Sequence, residues 1–155
     1  MRFGQLMRLF GWTLRHPLWM FAAAKATART MQIVQEKFPD IHGKDNKANA
    51  FRHALWNALI ASNCYRIKKD VELVLSWTQR ITDWHEDFSP NKPLARAMDI
   101  HNNQIGRGVF RECLEMEEQA LCEILTEQLT TAVQIASLEE MQKCSDNLIY
   151  IENDI

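Results

Sequence analysis

Hydrophobic residues recur every three or four positions along most of the chain, the period of an α-helix that packs against a core. The stretch 49–61 (NAFRHALWNALIA) is apolar around most of its circumference, which predicts a central buried helix over about 47–64. Ser137, followed by Glu140, forms a capping box that opens a last helix. Other helical patterns cover 4–14, 17–38, 70–86, 94–114 and 116–135. The sequence therefore predicts an all-α fold of six or seven helices around a central helix, without a strand.

The length of 155 residues suits one domain over 1–155, large enough to bury roughly two-thirds of its unfolded surface. Within it, residues 46–107 hold the motifs that carry chemistry. Residues 1–15 form an amphipathic helix at the periphery, for which two interpretations stay open. It packs on the body of the domain, or it docks on a membrane surface or a partner.

Charge is distributed unevenly along the chain, although the formal net charge is only -2. Residues 1–30 contain five bases and no acid, which favours contact with an anionic surface such as a membrane, through residues 1–20. Residues 111–155 contain two bases and eleven acids. This acidic end argues against nucleic-acid binding, and its helices offer a surface to a protein partner.

Targeting and redox signals are weak. The four cysteines (Cys64, Cys113, Cys122 and Cys144) show no CxxC spacing and lie within helical patterns, as reduced buried thiols of a cytosolic protein do. The N-terminal apolar run is interrupted by arginines and resembles no signal peptide, and no stretch reaches the roughly 20 apolar residues of a spanning helix. We expect a cytoplasmic protein, peripheral to the membrane if residues 1–20 bind lipid.

A polar row interrupts the apolar surface of the central helix. Asn49, His53 and Asn57 follow at intervals of four and stack on one side, and Arg52 lies beside them. A buried polar group without a partner costs roughly 1–3 kcal/mol, so these side chains need partners from elsewhere in the chain.

The segment 70–86 supplies one set of partners. Its apolar seam includes Thr78 and Ile81, and the same spacing predicts that His85 points inward, with Glu86 beside it.

The segment 94–114 supplies another set. One side of its helix bears Asp99, Asn102 and Asn103 with Arg107 at the margin. Small residues on that side, including Gly106, would let another helix come close, unless the glycines kink or end the helix. Polar side chains on the interior faces of three separate segments favour one shared site, because such clusters concentrate where function is.

Two chemistries fit this set of residues. In the first, His53, His85 and Asp99 bind a divalent, zinc-like metal, and Glu86 or Asp87 supplies a ligand or a general base. In the second there is no metal.

In the metal-free chemistry a histidine is the general base, oriented by Asp99 or Glu86, and Arg52 or Arg107 holds a phosphate or carboxylate. The amides then position the substrate or an oxyanion: Asn57, Asn102 and Asn103. His101 and the loop residue His42 are weaker candidates for the site.

The ordered motifs AFRHALWNALIA, WHED and MDIHNNQIGR resemble an uncharacterised bacterial all-helical domain, found in small stand-alone proteins and at the C-termini of Rhs-type and wall-associated polymorphic toxins. The resemblance covers about 46–107 and implies a common site at the matching positions. These are Arg52, His53, Trp56, His85, Glu86, Asp99, Asn102, Asn103, Gly106 and Arg107.

A looser similarity links the chain to the HD-domain metal phosphohydrolases, although here the His–Asp pair reads His85-Glu86 and Asp99 follows after about a dozen residues. The residues favour a small hydrolase acting on a phosphoester or phospholipid. His53, His85, Glu86 and Asp99 would be catalytic. The rival hypothesis is a non-enzymatic binding or immunity-type protein whose polar network only fixes the fold.

Overall fold

The computed structural model describes residues 3–39, 45–88 and 91–152, and these contain seven α-helices, one short 3₁₀ helix and two short strands. The all-α prediction is confirmed. In chain order the α-helices are α1 Phe3–Arg15, α2 Pro17–Lys37, α3 Lys47–Ile67, α4 Val71–Phe88, α5 Pro93–Glu112, α6 Glu118–Gln128 and α7 Leu138–Met141. The 3₁₀ helix is Leu129–Thr131, and the strands are β1 Val133–Gln134 and β2 Ile149–Tyr150.

Helix α3 occupies the centre, as its apolar circumference predicts, and packs against α2, α4, α5 and α6. Its first turn is capped by the Oδ1 atom of Asn46, which accepts a hydrogen bond from the backbone N–H of Asn49 at 3.1 Å. Phe51, Leu55 and Ile60 are fully buried on it. Polar side chains on this helix are therefore held inside the domain.

Helices α3 and α5 approach each other closely at Gly106. A Cβ atom placed on Gly106 would lie 2.0 Å from the carbonyl oxygen of Ala54, well inside any allowed contact. Helix α5 continues through Gly106 and Gly108, so neither glycine ends it. Gly106 therefore serves to bring the polar side chains of α5 against those of α3.

The inner sides of α1 and α2 pack on the body of the domain. Trp12 and Trp19 meet Trp77 of α4 edge-on, with ring centroids 6.2 and 5.5 Å apart. Pro17 occupies the first turn of α2, where its missing N–H costs no hydrogen bond. No helix in the described part of the chain combines the length and hydrophobicity needed to cross a membrane.

The C-terminal segment departs from the prediction. The acidic helix ends at Gln128, earlier than expected, and Val133 pairs in parallel with Ile149, so the expectation of no strand was wrong. The Ser137 capping box is confirmed, since its Oγ accepts from the N–H of Glu140 at 3.3 Å, but the helix it opens has four residues. Pairing between positions so far apart leaves no local periodicity to detect.

All four cysteines are free thiols, in agreement with their spacing. Burial raises the pKa of the Cys64 thiol to about 12, which makes it inert near neutral pH.

Candidate functional site

The side chain of His53 lies between two carboxylates that arrive from two other helices. Its Nε2 is 3.3 Å from Oδ1 of Asp99 on α5, and its Nδ1 is 3.5 Å from Oε1 of Glu86 on α4. All three residues are about 95% buried. Three helices that are separate in the sequence thus bring their polar side chains to one interior place, as the convergence of inward-facing polar positions predicts.

A chain of hydrogen-bonded amides orients the imidazole of His53 on its Nδ1 side. Arg107 has only donors, and its Nη1 donates to Oδ1 of Asn57 at 2.9 Å, so the Nδ2 of Asn57 donates to Oδ1 of Asn103 at 2.7 Å. The Nδ2 of Asn103 then donates to Glu86 at 3.2 Å. Since the Oδ1 of Asn103 also lies 3.1 Å from Nδ1 of His53, that nitrogen must carry a hydrogen. The lone pair of a neutral His53 is therefore on Nε2.

The other side of the imidazole faces Asp99 and Arg52. Asn49 and Asn91 donate to the two oxygens of Asp99, at 3.2 and 3.3 Å. Arg52 donates to Oδ1 of Asn49, and its Nη2 lies 3.5 Å from Nε2 of His53. The Nε2 lone pair and the Asp99 carboxyl thus share one small polar volume beneath a guanidinium group.

Burial pushes each of these groups toward its uncharged form. The pKa of His53 is lowered to about 3, chiefly by desolvation and secondly by the charge of Arg52. The pKa of Asp99 is raised to about 7, chiefly by desolvation and secondly by the charges of Glu86 and Asp45. Burial also raises the pKa of Glu86. Between about pH 4 and 6.5 the imidazole is therefore neutral, and the one proton of the His53–Asp99 pair belongs to the carboxyl group.

A cavity of about 240 Å³ opens beside this pair, between α2, α3 and α4. Its lining residues are Thr27, Thr30, Met31, Arg52, His53, Trp56 and His85. Thr30 is 1% exposed, and its Oγ1 has no hydrogen-bond partner among the described residues. An unsatisfied buried hydroxyl is uncommon, and this one belongs to a residue in the wall of the cavity.

His85 does not point into the core, so that prediction was wrong. Its side chain is exposed at the cavity mouth, where it meets Trp56 edge-on with ring centroids 5.1 Å apart. The inward positions on this last part of α4 are Thr82 and Glu86. An apolar pattern that repeats every 3.5 residues rotates by roughly 20° per heptad around a straight helix of 3.6 residues per turn. By the end of α4 the buried face has therefore turned away from position 85. Partial burial, then the Arg52 charge, lowers the His85 pKa.

Of the five predicted substrate-binding residues, only Arg52 lines the cavity. Asn57 and Asn103 are fully buried in the hydrogen-bond network around His53. Asn102 donates to the carbonyl of Ile149 at 2.9 Å and accepts from its N–H at 3.0 Å, so it holds β2 in place. Arg107 lines a different cavity of about 550 Å³ between α4 and α5. Arg52 and Arg107 therefore line different cavities, and of the two only Arg52 is near the Nε2 of His53.

The predicted metal ligands do not converge. Within the described ranges no three His, Cys, Asp or Glu side chains are grouped to hold an ion. The reason is geometric, because Asp99 and Glu86 contact opposite nitrogens of His53, and His85 is at the cavity mouth. Asp87 pairs with Arg96 at 2.6 Å instead.

The less favoured histidines stay outside the cluster. His101 has its Nε2 2.8 Å from the carbonyl of Asn147, and His42 lies outside the residues that the structure describes.

Several side chains join the site without having been named as candidates. Thr82 donates to Oδ1 of Asn57 at 3.2 Å. Asn91 contacts Asp99 from the loop before α5. Thr82 could have been found from its position four residues before Glu86 on the same helix face. The loop residue Asn91 and the cavity-lining Thr30 carry no comparable signal, because only the packing of separate elements brings them near.

Comparisons with known proteins agree with an uncharacterised helical domain. Searches against curated proteins and against solved structures find no match. Residues 10–133 match the family described as "Domain of unknown function (DUF6973)". The match includes α2 to α6 and every side chain of the His53 cluster. The chain therefore belongs to the DUF6973 family.

Proposed function

We propose that this protein is a hydrolase of phosphoesters that works by general acid–base catalysis at the cavity beside His53. One observation carries the proposal. Two imidazoles, His53 at the wall and His85 at the mouth, line the same cavity as Arg52, and both contact Trp56 edge-on. An arginine beside two proton-transfer groups suits the cleavage of an anionic ester.

The shifted pKa values assign the two roles. His85 has a lowered pKa, so it is neutral near pH 7 and free to act as a base. The His53–Asp99 pair holds a proton up to a pKa of about 7, so it is available as an acid in the same range. Groups whose environments separate their pKa values in this way are suited to act as an acid and base pair.

Hydrolysis takes one displacement step at phosphorus. A water at the cavity mouth gives a proton to His85 while its oxygen bonds to phosphorus. The bond from phosphorus to the leaving oxygen breaks, and that oxygen takes the proton shared by Nε2 of His53 and Asp99. Arg52 neutralises the charge on the phosphoryl oxygens, and solvent later returns the proton from His85 to the pair.

The lining of the cavity favours a phosphoester with an apolar group. Trp56 and Met31 supply an apolar wall, while Arg52 and the two histidines supply polar contacts. This combination supports the phospholipid-like substrates expected from the sequence. The resemblance to domains at toxin C-termini belongs to this proposal, because such domains commonly carry hydrolytic activity.

The experiment is hydrolysis of p-nitrophenyl phosphate and bis-p-nitrophenyl phosphate by the purified chain, with and without a metal chelator. His85→Gln should lower kcat/KM by roughly 100-fold or more. His16→Gln is the matched control. His16 is also exposed and packed edge-on against a tryptophan, Trp77, at 5.2 Å. Equal activity of His85→Gln and wild type, or no hydrolysis of either ester by wild type, would contradict the proposal.

A non-enzymatic binding protein is the second candidate, and one observation favours it. The amides of Asn57 and Asn103 have their hydrogen-bonding groups paired within the protein, as a purely structural network would. In that case the acidic surface of residues 111–155 would bind a basic partner. His85→Gln, at an exposed position, would then leave every property of the protein unchanged.

A further inference from the structure

The first two helices expose an apolar row on the sides that face away from the core, made of Met7, Phe10 and Leu14 on α1 and of Leu18 and Phe21 on α2. Exposed fractions along the row are 51% for Met7, 58% for Phe10, 67% for Leu14, 65% for Leu18 and 71% for Phe21. Intervals of three and four residues place the first three on one face of α1, and an interval of three places the other two on one face of α2. Single exposed apolar residues are common, but five large ones on two successive helices indicate a contact surface.

The row is not left over from core packing, because the same helices bury a different face. Leu9, Trp12 and Trp19 lie on the opposite side and pack on the core. The two helices are separated only by His16, whose N–H donates to the carbonyl of Trp12 at 2.8 Å as the last bond of α1 and whose carbonyl accepts from the N–H of Met20 at 3.0 Å as the first bond of α2. The exposed side chains Leu14 and Leu18 therefore lie close to each other in the chain, on either side of this junction.

Positive charge accompanies the row. Arg8, Arg15 and Lys25 are exposed on the same two helices, and none of them forms an ion pair with another described residue. Residues 1–30 carry five bases and no acid. An apolar row flanked by unpaired cations complements a surface that is anionic outside and apolar beneath, which is the character of an anionic lipid bilayer.

We propose that the α1–α2 outer face docks flat on an anionic membrane surface. Bulky side chains such as Phe10 and Leu14 enter the boundary between headgroups and acyl chains, and Arg8 and Arg15 contact lipid phosphates. The mode is peripheral, since no described helix is able to span a bilayer. It is independent of any hydrolysis at His53, and its test measures binding alone.

The experiment is flotation of the full chain with vesicles of phosphatidylglycerol and phosphatidylcholine, beside vesicles of phosphatidylcholine alone. Wild type should float with the anionic vesicles and release at high salt. Phe10→Asp or Leu14→Asp should lower the partition coefficient roughly tenfold or more, because a buried apolar side chain becomes a charged one. Leu73→Asp is the matched control, a helical residue 42% exposed on α4, and should bind as wild type does.

The arginines are tested separately. Arg8→Gln with Arg15→Gln should weaken binding to anionic vesicles by roughly 25-fold, at about fivefold for each charge, without changing the circular dichroism spectrum. Equal flotation of wild type and Phe10→Asp would overturn the proposal. A concentration-dependent dimer that Phe10→Asp dissociates, without vesicle binding by wild type, would overturn it too and assign the face to a second copy.

Discussion

The Nε2 atom of His53 lies 3.3 Å from Oδ1 of Asp99, and burial shifts the two pKa values in opposite directions. Between about pH 4 and 6.5 the folded pair holds one proton on Asp99, with its pKa of about 7. The unfolded pair also holds one proton in that range, on a histidine with its ordinary pKa of 6.5. Because both states bind the same number of protons, the pair contributes little pH dependence to stability there.

The variants of this pair should therefore show opposite slopes. Without Asp99, in Asp99→Asn, folding must displace the histidine proton, so stability falls as pH decreases below about 6.5. In His53→Gln, the folded Asp99 keeps its proton while the unfolded one ionises, so stability falls as pH rises from about 4 to 7. Each slope is at most about 1.4 kcal/mol per pH unit. Urea unfolding from pH 4 to 7.5 measures both, and parallel curves for the two variants would contradict the shared proton.

The tautomer of His53 is a prediction in its own right. The order of donors from Arg107 through Asn57 and Asn103 requires a hydrogen on Nδ1. Long-range ¹H–¹⁵N correlation spectra should show a neutral Nδ1–H imidazole from pH 5 to 8, since burial lowers the pKa to about 3. Arg107→Leu removes the obligate donor and should let the Nε2–H form appear. A wild-type imidazolium signal at pH 7 would refute this assignment.

Substitution of Gly106, which faces Ala54 at close range, should lower the free energy of unfolding far more than substitution of the other glycine on α5. Gly106→Ala places a methyl group 2.0 Å from the Ala54 carbonyl oxygen, so α3 and α5 must separate. We expect a loss of about 3 kcal/mol or more in the free energy of unfolding. Gly108→Ala is the control, because its Cβ would meet nothing within 4 Å, and it should stabilise by about 0.5–1 kcal/mol. Denaturant unfolding of both variants measures this difference.

Hydrolysis by the proposed mechanism should follow a bell-shaped pH profile. The acid limb reports His85, whose pKa is lowered from 6.5, and the alkaline limb reports the His53–Asp99 pair near pH 7. His85→Gln should remove the acid limb and keep the alkaline one. His16→Gln should keep both limbs. A profile of kcat/KM that rises steadily through pH 8 would reverse the assigned roles of acid and base.

Asn102 should behave as a structural residue. Its amide satisfies both backbone groups of Ile149, so Asn102→Ala leaves a buried N–H and C=O without partners. We expect a loss of about 2–4 kcal/mol and faster proteolysis near residues 142–152. Gln104→Ala, at an exposed position on the same helix, should change neither. An Asn102→Ala protein of normal stability would return Asn102 to the list of substrate-binding candidates.

Much of this molecule is determined by local sequence. The apolar circumference of 49–61 fixes a buried helix, and the interval of four residues between Asn49, His53 and Asn57 fixes a polar row on it, because side chains repeat every 3.6 residues. For this helix and its polar row the physical cause lies within a few residues, so the sequence alone is sufficient. The sequence leaves open whether Gly106 admits a neighbouring helix or ends its own, and the packing of α5 on α3 decides this.

The tertiary structure decided which polar side chains meet. His85 and Glu86 are neighbours in the sequence, so a small rotation of α4 about its axis decides which of them faces inward. That rotation is set by the packing of α4 against α3. The separate environments of Arg52 and Arg107, and the pairing of Val133 with Ile149, depend on the relative placement of distant elements. The protonation of His53 and Asp99 depends on burial by all of them, because desolvation is a property of the assembled interior and of no single helix.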